Sequence, residues 1–292
     1  MRVTDRLIFD NATRDTAQAR AAAEDASRVA STGTRIHHPS DDPAAAGMIP
    51  AFQIAGARYA AIGQAAGLAS DELNAADGAL DSVGTALSRA RELAVQFSNG
   101  TYDASQRAGG ALEVSQLADH VRAILNTRFG NRYLFGGTKD DAPPFDAAGN
   151  YVGDTGVRQV EVAPGVLQQA NVLVNGMGAG TTGGVLQVLG ALQAALTAND
   201  PTAVSATLDG LAAGTDAVAN TRAQVGASMH AFDTAVTASK VASDGETGEA
   251  SKLGQVDLVD ASIQLQATQT ALQASLAATA KSFQLSLVDY LK

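Results

Sequence analysis

The sequence contains no cysteine and no tryptophan, and aromatic residues make up only 4% of it. The absence of cysteine excludes disulfide bonds, cysteine-ligated zinc sites and thiol nucleophiles. Alanine supplies much of the apolar content that remains. Because alanine favours helices but buries little area, we expect closely packed helices and an isolated chain of only modest stability.

The chain also lacks clusters of positive charge and long apolar runs. Its net charge is -10 at pH 7, and binding to phosphates needs clustered lysine and arginine, so we expect no nucleic acid or membrane surface as a partner. No apolar run reaches the roughly 18 residues of a membrane span, and the polar start at Met1–Arg6 lacks the apolar region of a signal peptide. We therefore expect a cytoplasmic protein, or one exported without a cleaved signal.

Apolar residues recur with alternating spacings of three and four in two distant parts of the chain. This spacing places them on one stripe of a helix, so it predicts two long helices that pair along matching seams. A helix over residues 202–241 would be about 60 Å long, whereas a compact chain of this length would be about 50 Å across, so we expect an elongated bundle. The first stripe is Leu73, Ala76, Leu80, Val83, Leu87, Ala90, Ala94 and Phe97, and the second is Val204, Leu208, Leu211, Thr215, Val218, Arg222, Val225, Met229, Phe232 and Val236.

The pattern changes between Gly130 and Gly184. Residues 133–135 are expected to form a short strand, and the β-branched segments 157–162 and 166–174 alternate as strands do. The sequence therefore predicts a mainly α protein, an elongated bundle of long antiparallel helices with a small β-rich insertion. The predicted domains are terminal coiled-coil helices at 1–42 and 251–292, a helical rod at 43–136 and 183–250, and the β-rich insertion at 137–182.

Both ends of the chain carry narrow apolar stripes on otherwise polar helices. Such stripes bury too little area to offset about 1 to 2 kcal/mol of backbone entropy per residue, so we expect the ends to be frayed until they assemble. They are predicted to pack against each other or against copies in neighbouring molecules. The assembly residues proposed on this basis are Val3 and Leu7 at the start and Leu265, Leu272, Leu276, Phe283 and Leu287 at the end.

A polar segment separates the first predicted helix from the second. Gly33 is suited to the positive φ that ends a helix, and Asp42 followed by Pro43 is suited to an N-cap and first helical position. The pair Asp41 and Asp42 could instead form an acid/base dyad or ligate a metal. Adjacent carboxylates point apart at a helix start, so capping is the favoured interpretation. Pro50 is expected to kink the second helix or restart it near Gly47.

Arg222 stands on the second stripe, where an unpaired buried charge would cost several kcal/mol. Two explanations stay open at this point. Its stem packs in the seam while its head reaches a carboxylate, or it makes a contact with another subunit.

Residues 178–183 read GAGTTG, which fits the GxGxxG pattern of dinucleotide sites, and Asp200 is available as the acidic partner. No second parallel strand is predicted after this loop, so a nucleotide-binding enzyme is the weaker alternative. The histidines lack metal-ligand spacing, and no nucleophile elbow is present. We therefore predict a protein that is not an enzyme and that holds no cofactor or metal; the histidines are His37, His38, His120 and His230.

Four segments resemble the bacterial flagellin superfamily and, within it, the hook-associated protein 3 (FlgL) type. Residues 31–46, STGTRIHHPSDDPAAA, resemble the family's STGxRxxxPSDDPxAA block, and residues 131–137, NRYLFGG, resemble its NxRYxFxG segment. Residues 222–227, RAQVGA, are similar to RAxLGA, and residues 285–291, LSLVDYL, are similar to the LSLFDYL ending. The residues of these blocks that we single out are Gly33, Arg35, Asp42, Pro43 and Arg222.

The resemblance implies a structural subunit of the bacterial flagellum that joins the hook to the filament. It further implies contacts with another hook-associated protein, with flagellin and with further copies in a ring. Export unfolded through the flagellar type III apparatus, with an uncleaved signal and a chaperone on the C-terminal helix, is implied as well, which would make the protein extracellular. A filament-forming flagellin is the alternative, but the PSDDP, RYLFGG and LSLVDYL segments favour the junction type.

Overall fold

The structure is a computed structural model that describes residues 2–290, with side chains described for residue 7 and residues 9–281. Most of the described chain is helical, and short antiparallel strands occur only in its middle, as the sequence predicted. The helices are α1 (Arg2–Thr32), α2 (Pro43–Phe97), α3 (Ala104–Leu125), α4 (Val185–Thr197), α5 (Pro201–Gly254) and α6 (Leu258–Tyr290). The strands are β1 (Arg128–Phe129), β2 (Arg132–Tyr133), β3 (Gln159–Ala163) and β4 (Val166–Gln169), and a short 3-10 helix spans Asn175–Met177.

The chain divides into two compact units, each built from more than one helix. One comprises Met1–Ala57 and Ser243–Lys292, and the other comprises Arg58–Ala242. The predicted division into three parts remains a prediction.

The core of the Arg58–Ala242 unit lies between α2 and α5. All eight residues of the first predicted stripe are buried, and Leu80, Leu87 and Leu211 are among the side chains that solvent does not reach at all. Ser70 binds Asp233 and Asp77 binds Arg222, so the two helices run antiparallel. Helices α3 and α4 pack on each other and add their own apolar residues to the same core.

The β-rich part consists of two small hairpins. Strands β3 and β4 are antiparallel, and two ion pairs fix this hairpin to α2: Arg158 with Glu72 and Arg58 with Glu161. The strand predicted at residues 133–135 is shorter and lies at Arg132–Tyr133, because the next two side chains turn into the helical core. Strand β4 likewise ends at Gln169, since residues 172 and 174 are buried in that core.

Helix α2 runs without interruption through Pro50, so of the two outcomes expected there the restart near Gly47 was wrong, and the kink stays a prediction. The proline ring imposes a φ that is compatible with a helix and removes only one backbone donor. The alanines around Gly47 favour the helix on the N-terminal side, and the long packed segment that follows offsets the lost hydrogen bond.

A tight loop in the β-rich part is organised around the carboxylate of Asp154. It accepts hydrogen bonds from the hydroxyl and amide of Thr138 and from the amide of Gly156. These bonds, that from the Thr138 hydroxyl first, lower the pKa of Asp154 from 3.8 to about 2. Gly137 has a φ of +75°, and a Cβ there would lie 2.1 Å from Asp154 Oδ1, so the loop closes only with glycine at this position.

The lowered pKa of Asp154 predicts a pH-dependent contribution to stability. The carboxylate stabilises the fold at pH values above its ordinary pKa of 3.8, and this stabilisation is lost as the pH falls through about 2. Asp154→Asn should therefore lower the Tm at neutral pH, and the difference from the wild type should shrink over this acid range. Thermal unfolding at a series of pH values measures it. A difference in Tm between Asp154→Asn and the wild type that stays constant down to a pH of about 2 would contradict the prediction.

Candidate assembly interface

The segment between α1 and α2 is held against the connection between α5 and α6. Gly33 has a φ of +68° and donates its amide to Val29 O at 2.8 Å, which ends α1. Its own carbonyl accepts from the Val256 amide at 3.1 Å, and the Arg35 amide donates to Gly254 O at 2.8 Å. These backbone hydrogen bonds hold the two inter-helix connections together. The positive φ of Gly33 agrees with the prediction from the sequence.

Asp42 caps α2 and also binds Arg35. Its Oδ1 accepts the Ala45 amide at 3.0 Å, and Pro43 occupies the first helical position, as predicted. The Arg35 Nη2 donates to Asp42 Oδ2 at 3.1 Å and to Leu253 O at 3.0 Å. The capping bond from Ala45, followed by the bond from Arg35, lowers the pKa of Asp42. Arg35 thus joins the start of α2 to a free carbonyl at the end of α5.

Asp41 has a separate role in the same turn. Its Oδ2 accepts the amides of His38 at 2.8 Å and His37 at 3.0 Å, and these bonds lower its pKa. In an acid/base dyad of neighbouring carboxylates one pKa would be raised, but the pKa values of Asp41 and Asp42 both shift down. Among the described side chains, no group of three or more histidine and acidic residues is arranged to hold a metal ion.

The capping geometry gives a testable expectation for Asp42. Asp42→Ala should lower the free energy of unfolding, because it removes the helix cap that accepts the Ala45 amide. Asp42→Asn is the matched control, because asparagine caps a helix nearly as well and loses only the charge that faces Arg35. Urea unfolding of the two variants compares them. Equal losses of unfolding free energy in Asp42→Ala and Asp42→Asn would show that the ion pair with Arg35 contributes more to stability than the helix cap.

Helices α1 and α6 pack antiparallel along a seam of mostly small side chains. The hydroxyl of Thr16 lies 3.2 Å from that of Ser275 and 3.1 Å from that of Thr279. Small residues let two helices approach closely, and a spacing of three and four keeps them on one stripe. Among the described side chains, the buried or half-buried positions are Ala12, Thr16, Ala19, Ala23, Ala26, Val29 and Ala30 on α1 and Ala261, Leu265, Thr268, Leu272, Ser275 and Thr279 on α6.

The structure separates the predicted assembly residues into two groups. Leu265 and Leu272 are half-buried in the α1–α6 seam, whereas Leu276 is 51% exposed and Leu7 is 61% exposed. Leu258 is also exposed on α6, about five helical turns before Leu276 and on the same side of the helix. The side chains of the other three predicted residues lie outside the described residues; they are Val3, Phe283 and Leu287.

Arg222 binds two carboxylates of α2. Its Nε and Nη2 donate to the two oxygens of Asp77 at 2.8 and 3.0 Å, and its Nη1 donates to Asp81 Oδ1 at 2.7 Å. The bond from Arg222 lowers the pKa of Asp77. Of the two explanations that the sequence left open, the structure therefore supports the carboxylate partner within the chain.

In the glycine-rich loop at 178–183, the backbone packs closely against itself. The nearest strands form an antiparallel hairpin, so the described residues around the loop contain no βαβ unit. A Cβ on Gly184 would lie 2.2 Å from Gly178 O, which explains a glycine there by close backbone approach. Asp200, the acidic residue that a dinucleotide site would need, instead accepts the amides of Thr202 and Ala203 at the start of α5.

Arg107 is a buried cation that was not predicted from the sequence. It is 3% exposed, and its guanidinium donates to the carbonyls of Phe97, Tyr102 and Asn99 and to the side chain of Asn199. Phe97 ends α2, so the charge also faces the negative end of that helix dipole. No sequence signal marks this residue, because an arginine in the first turn of a helix is normally solvated.

Two family models match the chain. The model described as the bacterial flagellin N-terminal helical region matches residues 6–140, and that described as the C-terminal helical region matches residues 208–291. The two matches together cover about three quarters of the chain. They include α1, α2 and α6, the helices that carry the seams and the capped turn described above.

Curated proteins and solved structures give further similarities. Flagellar hook-associated protein 3 of Escherichia coli (strain K12) is 37% identical over 125 residues, which is 42% of this chain and 39% of that protein. A flagellin of Clostridium tyrobutyricum is 34% identical over 143 residues, 48% of this chain and 37% of that protein. The chain thus spans about two fifths of the length of these relatives. A Vibrio parahaemolyticus structure provisionally named as a flagellar hook-associated protein superimposes with a TM-score of 0.63 at 25% identity, covering 73% of this chain and 100% of that one.

Proposed function

Because the chain belongs to the bacterial flagellin family, we propose that it is a structural subunit of the flagellum that joins the hook to the filament. The observation that carries this proposal is the similarity to hook-associated protein 3, at 37% identity over 125 residues. The proposed role is mechanical and needs no catalysis. Among described residues, no helix combines the length and apolarity that a membrane crossing requires.

The α1–α6 pair supports a role in assembly. Its seam consists largely of alanine, threonine and serine, which bury little apolar area, while leucines beside the seam remain exposed. Covering a fully exposed leucine is worth about 1.5 to 3 kcal/mol. Leu7, Leu258 and Leu276 are already partly covered, so neighbouring subunits would add a part of this value for each of them. The proposed partners are further copies in a ring, another hook-associated protein on the hook side and flagellin on the filament side.

The exposed position of Leu276 allows assembly to be tested separately from folding. Leu276→Gln should weaken filament attachment and motility, because it removes apolar surface that a neighbouring subunit would cover. It should leave amide exchange in the α1–α6 pair unchanged, since the side chain lies beside the seam. Leu272→Gln is the contrast, because this half-buried residue packs in the seam and its loss should speed exchange in both helices. Normal filaments on cells that carry Leu276→Gln would contradict the proposed surface.

We also propose that the C-terminal stripe is covered by an export chaperone before assembly. The stripe comprises Leu265, Leu272, Leu276, Phe283 and Leu287, and an apolar helix face of this kind binds a groove through residues about one turn apart. The chain would then pass unfolded through the flagellar type III apparatus to the cell exterior. Calorimetry with the chaperone of the same organism should detect binding that Leu272→Gln weakens. Equal affinity of the wild type and of Leu272→Gln for the chaperone would contradict the proposal that the chaperone covers this stripe.

A filament-forming flagellin is the second candidate, favoured by the 143-residue match to the Clostridium tyrobutyricum protein. Deletion of the gene distinguishes the candidates. A junction subunit predicts hooks without filaments while flagellin is released into the medium, and a plasmid copy of the gene restores the filaments. If the chain were the flagellin, deletion would remove the filament protein from both cells and medium. Filaments that persist after deletion would contradict both roles.

A further inference from the structure

The turn between α2 and α3 contains an asparagine followed by glycine, Asn99 and Gly100, and both residues are exposed. In such a pair the glycine amide nitrogen can attack the side-chain carbonyl carbon of the asparagine, because both groups belong to adjacent residues and no Cβ shields the nitrogen. The space around Gly100 is open, since a Cβ built there would meet no atom within 4 Å. Its amide donates no hydrogen bond to the part of the chain that the structure describes.

The buried guanidinium of Arg107 acts on the same peptide group. Its Nη2 donates to Asn99 O at 2.9 Å, and this oxygen shares a peptide bond with the Gly100 nitrogen. When that nitrogen loses its proton, the negative charge is delocalised onto the carbonyl oxygen. All four acceptors of Arg107 are neutral oxygens, so its charge is not cancelled by a bound carboxylate. A hydrogen bond from a cation to the charged form favours that form, so Arg107 favours the nucleophilic state of the Gly100 amide.

A second donor faces the group under attack. The Thr101 amide donates to Asn99 Oδ1 at 3.1 Å. When the nitrogen adds to the side-chain carbon, negative charge develops on this oxygen, and a fixed backbone donor stabilises it as in an oxyanion hole. The folded turn therefore supplies one donor for the nucleophile and one for the tetrahedral intermediate.

We propose that Asn99 is a site of self-modification, at which the folded chain converts its own asparagine to aspartate or isoaspartate. A base in the solvent removes the Gly100 amide proton, the nitrogen bonds to Cγ of Asn99, and the side-chain nitrogen leaves as ammonia. The resulting succinimide ring is opened by one water molecule. Asparagine and water thus give a carboxylic acid and ammonia, with no oxidation or reduction. The new carboxylate arises in the turn whose backbone carbonyls bind Arg107.

The chain contains a matched internal comparison. Asn175 is also exposed and precedes Gly176, but its carbonyl accepts only from the neutral hydroxyl of Thr181, at 3.3 Å. Both sites share the same dipeptide, so any difference in their rates reports the surroundings rather than the sequence.

The test is incubation of the purified full chain in mildly alkaline buffer, followed by peptide mapping with mass spectrometry that separates aspartate from isoaspartate. Modification at Asn99 should proceed about tenfold faster than at Asn175, a difference of about 1.4 kcal/mol in the barrier. In concentrated urea the Asn99 rate should fall to that of Asn175, because the Arg107 contact exists only in the folded chain. Gly100→Ala should slow the reaction at Asn99 and leave Asn175 unchanged. An Asn99 rate that rises on unfolding, or no product at this residue, would overturn the proposal.

Discussion

Replacing Leu87 by alanine should lower the free energy of unfolding of the chain by about 2 to 5 kcal/mol, the usual range for a buried leucine. Solvent does not reach Leu87. Its Cδ1 lies 3.8 Å from where a Cβ on Gly214 would stand, so it packs across the contact between α2 and α5. The substitution would leave a cavity between two long helices whose backbones cannot close over it fully. Urea unfolding followed by circular dichroism measures the loss.

Leu68 provides the matched control on the same helix. It is 66% exposed, and Leu68→Ala should change the free energy of unfolding by no more than about 0.5 kcal/mol. If both substitutions had similar effects, the stripe of spacing three and four would not be the core of this unit.

Replacing Arg107 by leucine should cost about 3 kcal/mol, although the substitution introduces an apolar side chain into a buried site. The guanidinium satisfies the carbonyls of Phe97, Asn99 and Tyr102, which would lose this donor together. Removing the buried charge recovers part of its desolvation cost, which keeps the net effect below the sum of the lost bonds. The Tm of the purified variant, together with urea unfolding, measures the effect.

Two variants make the Arg107 result interpretable. Arg91→Leu is the same substitution at an exposed position of α2 and should change stability by no more than about 0.5 kcal/mol. Asn199→Gly removes the side-chain acceptor of Arg107, and glycine tolerates the φ of 53° observed at this position. Its effect should be non-additive with Arg107→Leu, because both residues belong to one network. Additive effects would mean that the contact between them contributes nothing.

The long helices of the Arg58–Ala242 unit were predictable from the sequence because their apolar residues are large and regularly spaced. Leu73, Leu80 and Leu87 recur every seven residues on α2 and are all buried. The capped turn was predictable for a similar reason, since Asp42 and Pro43 have local preferences that do not depend on distant partners. Apolar periodicity and local capping preferences can be recognised in a single sequence, because neither depends on a distant partner.

The contacts of the terminal helices were harder to predict. The predicted assembly residues were mostly leucines, but the seam between α1 and α6 lies mainly on alanine, threonine and serine, and Leu276 lies beside it. The spacing of Ala12, Thr16 and Ala19 was the available signal, and it is weak because small residues are also common on exposed faces. Two helix backbones approach closely only where the side chains between them are small. A search for large apolar residues does not find such positions.

Long-range polar partners lay beyond sequence reasoning. The carboxylates that bind Arg222 stand more than 140 positions earlier in the chain, and the acceptors of Arg107 come from two separate turns. Such pairs depend on the register of packed helices. The unbroken course of α2 through Pro50 has the same origin, because packing along the helix outweighs one lost hydrogen bond.

Immunogold electron microscopy of intact flagella from the source organism tests the central claim most directly. Antibody raised against the Arg58–Ala242 part of the chain should label a single short zone where the hook meets the filament, and Leu276→Gln should reduce the number of labelled hooks. Label distributed along the whole filament would contradict the junction role and identify the chain as a filament subunit, and flagella without any label would contradict the account altogether.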